Sequence, residues 1–173
     1  MRRTFASLNP QEALHVAIFI EERNAGIYHR FAEMFTEFRD PDSLEIASVF
    51  WDMAVEEKRH SSVLQEKYQE RYGNASCALT EEDLQDMIEV PRLDDGDVFA
   101  DSAIANDSAR ERAVKVALAA EQGAQNYYSR LAEQTKDTHL RRLYNELATM
   151  EDGHVAYLEN VLSASASEDK GVH

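Results

Sequence analysis

Two copies of a Glu-x-x-His motif, Glu57 to His60 and Glu151 to His154, are the residues of this sequence best suited to chemistry. On a helix that spacing puts a carboxylate and an imidazole on one face, about one turn apart, where both can hold a shared cation. Each motif follows a lone glutamate in an earlier apolar stretch, Glu21 and Glu121, and a tyrosine stands seven residues after each of these, Tyr28 and Tyr128. A single Glu-x-x-His in a Glu-rich helical chain reads as a surface ion pair. Two copies, each behind such a glutamate, read as one constellation. Four glutamates and two histidines from four helices form the ligand set of a carboxylate-bridged dinuclear metal site in a bundle core. Hard oxygen donors with imidazole suit iron or manganese, whereas thiolates would select softer metals.

The neighbours of these residues point inward. Glu21 shares its face with Ala17, Ile18, Ala25 and Tyr28, and Glu121 with Ala117, Leu118, Ala124 and Tyr128. Glu57 lies with Met53, Ala54 and Leu64, and Glu151 with Leu147, Ala148, Val155 and Leu158. An unpaired ionised carboxylate on an apolar face costs on the order of several kcal/mol, and a pair of divalent cations is the simplest remedy for four of them.

The elements that must position these groups are helices. Long Ala-, Leu-, Glu-, Arg- and Gln-rich stretches carry a helical period with no strand-like alternation. Asn9-Pro10-Gln11-Glu12 opens a first helix, which Arg39-Asp40-Pro41 ends. Asp42-Ser43-Leu44-Glu45 predicts a capping box for a second, stopped by Gly73. A third is expected from about Ser108, or from Asp97, to about Lys136, and a fourth from about Asp137 to about Leu162. Between the pairs lies an acidic, turn-rich stretch with one short helix capped by Thr80, long enough for a crossover. The expected fold class is all-α, a four-helix bundle of two duplicated hairpins. Its domain covers residues 1–162, with hairpins at 10–72 and 108–162, a crossover at 73–107 and a disordered tail at 163–173.

An internal repeat supports the duplication. At an offset of 100, Glu21, Tyr28, Arg30, Ala32 and Glu33 coincide with Glu121, Tyr128, Arg130, Ala132 and Glu133. At an offset of 94, Ala54, Glu57, His60 and Leu64 coincide with Ala148, Glu151, His154 and Leu158. The difference of six predicts a longer first connection around Asp40-Pro41. The repeat also selects among neighbours. Glu22 is set aside for Glu21 because its counterpart is Gln122, and Glu56, which could face His60 at a spacing of four, is set aside because its counterpart is Met150.

Composition narrows the function further. The 173 residues carry 33 acidic and 18 basic side chains, a net charge of −15, which argues against nucleic acid or an anionic membrane as partner. One cysteine, Cys77, excludes intramolecular disulfides and Cys-rich metal sites, and it lacks an activating neighbour. The amino-terminal MRRTFASLNPQEA lacks an apolar segment behind its arginines, and the longest apolar run, Val16 to Ile20, is too short to span a bilayer. A cytoplasmic protein is expected. His15, His29 and His139 read as surface or packing residues, and Trp51, Met34 and Met53 as core. Gly26, Gly123 and Gly153 interrupt helices, and close helix approach is the expected reason.

The chain resembles ferritin-like di-iron proteins of the rubrerythrin and erythrin family over about residues 5–72 and 108–162, through Glu21…Tyr28, Glu57-x-x-His60, Glu121…Tyr128 and Glu151-x-x-His154. The phrase FASLNPQEALHVAIFIEERNAGIYHRFAEMF is also similar to the ferritin-like portion of membrane-bound erythrin iron exporters. The resemblance implies two iron ions per chain, with manganese or zinc as substitutes. It implies that Glu57 and Glu151 bridge the metals, that Glu21 and Glu121 are terminal ligands, and that His60 and His154 bind one iron each. Tyr28 and Tyr128 match tyrosines beside the metals, assigned to catalysis. The implied activity is that of a di-iron oxidoreductase, a peroxidase or ferroxidase in which Fe(II) meets hydrogen peroxide or dioxygen, with a role in oxidative stress. A homodimer is expected.

Two departures qualify the resemblance. One cysteine cannot build a rubredoxin module, so electrons must come from an external donor, rubredoxin-like or other. Many rubrerythrins carry a further carboxylate one turn after the third-helix glutamate, where this chain has Ala124 and Gln125. The alternatives are an iron-binding or storage protein without meaningful turnover, and a metal-free helical interaction domain.

Overall fold

The computed structural model of the chain describes residues 5–80, 82–84 and 109–168. A short 3-10 turn at Phe5–Ser7 precedes four long helices: α1 (Pro10–Phe38), α2 (Pro41–Tyr72), α3 (Ala109–Gln134) and α4 (Thr138–Glu168). Helix α1 packs along α2 and α3 along α4, and the two hairpins meet mainly through α1 and α3. Among the described residues no helix is long and apolar enough to cross a membrane.

The first helix starts where its sequence directs. Asn9 accepts from the Glu12 backbone N–H at 2.9 Å while Glu12 accepts from that of Asn9 at 3.0 Å, a reciprocal cap. The second helix starts differently from expectation. Its cap is Asp40, which accepts from the Ser43 backbone at 2.9 Å with Pro41 as the first helical residue, so Asp42 lies inside the first turn. Arg39 takes a left-handed conformation, φ 60°, and with Asp40 makes the whole turn between α1 and α2.

That tight turn corrects the expected longer connection. The chain between α1 and α2 is shorter than the Thr135-Lys136-Asp137 link between α3 and α4. The extra residues of the first repeat are helical: α1 continues from Glu21 to Phe38 whereas α3 runs only from Glu121 to Gln134, and α2 likewise begins further ahead of Glu57 than α4 does of Glu151. Each helix of the first hairpin is longer by about one turn on that side of the site.

Other boundaries also moved. Helix α4 continues through Ser163 to Glu168, so the Ala- and Ser-rich start of the expected tail is helical; residues 169–173 lie outside the described residues. Small polar residues are tolerable helix formers once a helix already propagates into them. Thr80 and Asp83 form a reciprocal cap over residues 82–84, as expected, and the rest of the expected crossover, 85–107, lies outside the described residues. Trp51 is not core: it is 40% exposed and meets His29 edge-on, whereas Met53 is buried. The expected close approach at helical glycines does not occur at Gly26 or Gly153, where an added Cβ would meet open space.

The core is split in two. One apolar cluster contains Leu14, Ala17, Leu64, Tyr128, Leu131, Tyr144 and Leu147, and the other Ile27, Phe31, Phe35, Phe50, Ala113, Val114 and Leu158. Every helix passes from one cluster to the other, and the four glutamates of the repeat lie on the passage: Glu21 between Ile20 and Ile27, Glu57 between Ala54 and Leu64, Glu121 between Ala117 and Ala124, Glu151 between Ala148 and Leu158. A polar layer therefore divides the hydrophobic interior.

Candidate metal centre

All six sequence-predicted ligands converge on that layer. Glu21, Glu57, Glu121 and Glu151 are fully buried, one from each helix, and His60 is 8% exposed. They form two overlapping groups, Glu21, Glu57, His60 and Glu151 on one side, and Glu57, Glu121, Glu151 and His154 on the other. Within each group one potential ligand atom per residue lies within 4.8 Å of all the others. Glu57 and Glu151 belong to both groups, which is the arrangement that two adjacent cations sharing bridging carboxylates would require.

Both histidines face the layer with the same nitrogen. His60 Nδ1 lies 3.1 Å from Glu21 Oε2, and His154 Nδ1 lies 3.2 Å from Glu121 Oε2. The imidazole rings are stacked 6.4 Å apart. His60 Nδ1 is 3.5 Å from Glu151 and 3.8 Å from Glu57, while His154 Nδ1 is 3.4 Å from Glu57 and 3.7 Å from Glu151.

The two tyrosines hold the outer glutamates across the hairpin boundary. Tyr128 donates to Glu21 Oε1 and Tyr28 donates to Glu121 Oε1. Neither tyrosine serves the glutamate seven residues before it on its own helix; each reaches that of the other hairpin. This exchange between α1 and α3 is not revealed by the sequence spacing alone. Burial, and then the surrounding carboxylates, push both hydroxyls well above the usual tyrosine range, so they remain protonated donors.

The shared glutamates behave differently. Neither oxygen of Glu57 or of Glu151 has a hydrogen-bond partner, although all four atoms are buried. Buried polar atoms are nearly always satisfied, and four such carboxylate oxygens in one layer mark a place that could hold cations. The charges agree: two divalent cations balance four carboxylates.

The packing of four carboxylates into one buried layer shifts their titration. Burial raises Glu57 well above the usual carboxylate range, and the neighbouring Glu151, Glu21 and Glu121 raise it further. Glu21 and Glu121 are also raised, chiefly by burial. Glu151 is held low: burial works against this, but Glu121, His154 and His60 favour its charged form. Burial alone would lower the histidines, yet carboxylate contacts dominate and push His60 up to about 9 and His154 up to about 11.

A cleft lies beside the two histidines. Helices α2 and α4 flank this cleft of about 540 Å³ lined by Glu56, Arg59, His60, Val63, Glu146, Met150 and His154, among others. Glu56, set aside in the sequence reading, has a place here. Its Oε2 lies 2.6 Å from His154 Nε2, so it serves the histidine of the other hairpin rather than His60. The spacing of four was the signal, but it pointed along α2 and not across the cleft. Glu22 stays on the flank, accepting from Gln65 Nε2 at 2.7 Å, and Glu21 is the buried member of that pair.

Comparison with known proteins agrees with the helix pattern. The family described as rubrerythrin matches residues 12–96 and 113–172. A crystal structure of an uncharacterized conserved protein from Magnetospirillum magnetotacticum MS-1 superposes with a TM-score of 0.70 at 21% identity, covering 91% of this chain and 95% of that one. A hypothetical protein from Pyrococcus furiosus gives a TM-score of 0.68 at 22% identity, over 92% of this chain and 91% of that one. At such identities these two speak for the fold, a ferritin-like bundle. No curated protein matches the chain.

Proposed function

The chain belongs to the rubrerythrin family, and from that membership and the geometry of the buried layer we propose that it is a di-iron carboxylate oxidoreductase, oxidising Fe(II) with hydrogen peroxide or dioxygen. The observation that carries this reading is the pair of overlapping ligand groups with Glu57 and Glu151 common to both, their oxygens buried without a hydrogen-bond partner. The donor set fits iron: oxygen-rich, with one imidazole for each position and no thiolate. A bound pair of ferrous ions would supply one electron each to the oxidant.

What the chain's own residues do follows from their places. Glu21 with His60, and Glu121 with His154, would hold one cation each, and the two shared glutamates would link them. Tyr28 and Tyr128 keep the outer carboxylates aimed by donating to one oxygen, which leaves the other facing the layer. The apolar clusters on either side keep bulk water out. The cleft beside the histidines is the route by which a small oxidant would arrive. An external electron donor would return the centre to its reduced state, and a homodimer is the assembly proposed.

The test is to load the protein with Fe(II) without air, then add peroxide and air separately while recording the near-ultraviolet spectrum. Faster oxidation by peroxide identifies a peroxidase, and faster oxidation by air identifies a ferroxidase. Iron that binds but is oxidised by neither faster than free Fe(II) would favour an iron-binding protein without turnover.

A further inference from the structure

The two halves of the layer are not served alike from outside, and the difference lies at Glu56. This inference rests on the metal reading above. Glu56 belongs to α2, is itself exposed, and reaches across the cleft to place Oε2 2.6 Å from His154 Nε2. The other nitrogen of that ring, Nδ1, faces Glu121, Glu57 and Glu151. An imidazole that donates from one nitrogen to a carboxylate is fixed in orientation and presents a more basic lone pair on the other. The repeat puts Met150 where a second copy of Glu56 would stand, on the same cleft as His60. A thioether is only a weak acceptor and cannot hold a ring in the same way.

We propose that Glu56 is a positioning residue for His154, and that it makes the cation position held by Glu121 and His154 tighter than the one held by Glu21 and His60. The repeat makes the ligands equal; Glu56 makes the positions unequal. In a centre whose two ions are shared through Glu57 and Glu151, this sets the order of loading, with the α3–α4 side filled first.

Anaerobic Co(II) titration of the metal-free full chain, read by d–d absorption, tests it without relying on turnover. The wild-type chain is expected to bind in two resolvable steps. Glu56→Ala should weaken the tighter step by roughly 10- to 100-fold and leave the other unchanged. Glu56→Gln should restore most of the loss, because an amide oxygen still accepts from Nε2–H. Met150→Glu should tighten the weaker step. In a His154→Ala background, Glu56→Ala should have no further effect. Equal binding in Glu56→Ala and wild type would overturn the proposal, as would equal weakening of both steps or persistence of the effect without His154, which would mark Glu56 as a general attractor of cations. Failure of the wild-type chain to bind Co(II) at all would instead overturn the metal reading on which the proposal stands.

Discussion

The two hairpins carry the same ligands in different surroundings. In the first, Glu21 is held by Tyr128, whose ring lies among Tyr127 and Tyr144, and His60 shares its cleft with Met150. In the second, Glu121 is held by Tyr28, which stacks on Phe50, and His154 is tied to Glu56. The α1–α2 hairpin is also longer beyond the site by about a turn on each helix. Duplication preserved the residues of the buried layer and let their surroundings diverge. The lesson is that pseudo-symmetry in the ligand set does not carry over to the residues that aim it.

The strongest way to break the comparison is to remove a ligand both halves share. Glu57→Ala or Glu151→Ala should abolish binding of both cations, read as metal content after dialysis. The metal-free Glu57→Ala variant should be as stable as the metal-free parent or more so, since it loses a buried carboxylate whose charge its neighbours disfavour, whereas Glu151→Ala should destabilise the metal-free chain by leaving His60 and His154 without their shared acceptor. Removing an outer ligand should separate the halves. His60→Ala and His154→Ala should each retain one cation of the two, and the retained cations should differ in affinity.

Proton linkage acts on both halves. Glu57, Glu21 and Glu121 have raised pKa values, and His60 and His154 are raised to about 9 and about 11. Each of these protons must leave before its group can bind a cation, so affinity rises with pH. Calorimetric titration at pH 6 and pH 8 in buffers of different ionisation enthalpy should show tighter binding at pH 8 and proton release at both.

The tyrosines allow a finer test. Tyr28→Phe and Tyr128→Phe each remove one hydrogen bond to an outer glutamate, worth about 0.5–1.5 kcal/mol. Binding should weaken about tenfold or less, with Tyr128→Phe acting on the Glu21 side and Tyr28→Phe on the Glu121 side. The opposite assignment would contradict the exchange across the hairpin boundary. The smallest effect concerns the turn between α3 and α4. Asp137 accepts from the His139 and Leu140 backbone and pairs with Arg71 of the other hairpin at 2.8 Å. The Leu140 backbone hydrogen bond, followed by Arg71, depresses its pKa from 3.8 to about 2. Its stabilising contribution is therefore present above about pH 4 and lost as pH falls through about 2. Asp137→Ala should lower the melting temperature at pH 7 and have little effect near pH 2.

Much of this was legible in the sequence because it depends on local period and on repetition. The six residues that meet in the buried layer could be singled out because a helix fixes what stands three residues away, and because the second copy arbitrated between Glu21 and Glu22. The capping of α1 was written in Asn9-Pro10-Gln11-Glu12. What escaped depends on contacts between helices. Tyr28 and Tyr128 serve opposite halves because α1 and α3 lie against each other, and no spacing along one helix encodes that. Glu56 was discarded by the same symmetry that singled out the layer residues, since a residue present in only one repeat looks like noise. The Asp40 cap was missed because Pro41 was read as the end of α1 rather than the first residue of α2.

The central claim is that Glu57 and Glu151 are shared by two cations. Anaerobic Fe(II) titration of the metal-free chain, wild type beside Glu57→Ala, tests it most directly. The account predicts saturation at two Fe(II) per chain in the wild type and loss of both in the variant. Binding of a single Fe(II), or of two that survive the loss of Glu57, would contradict it.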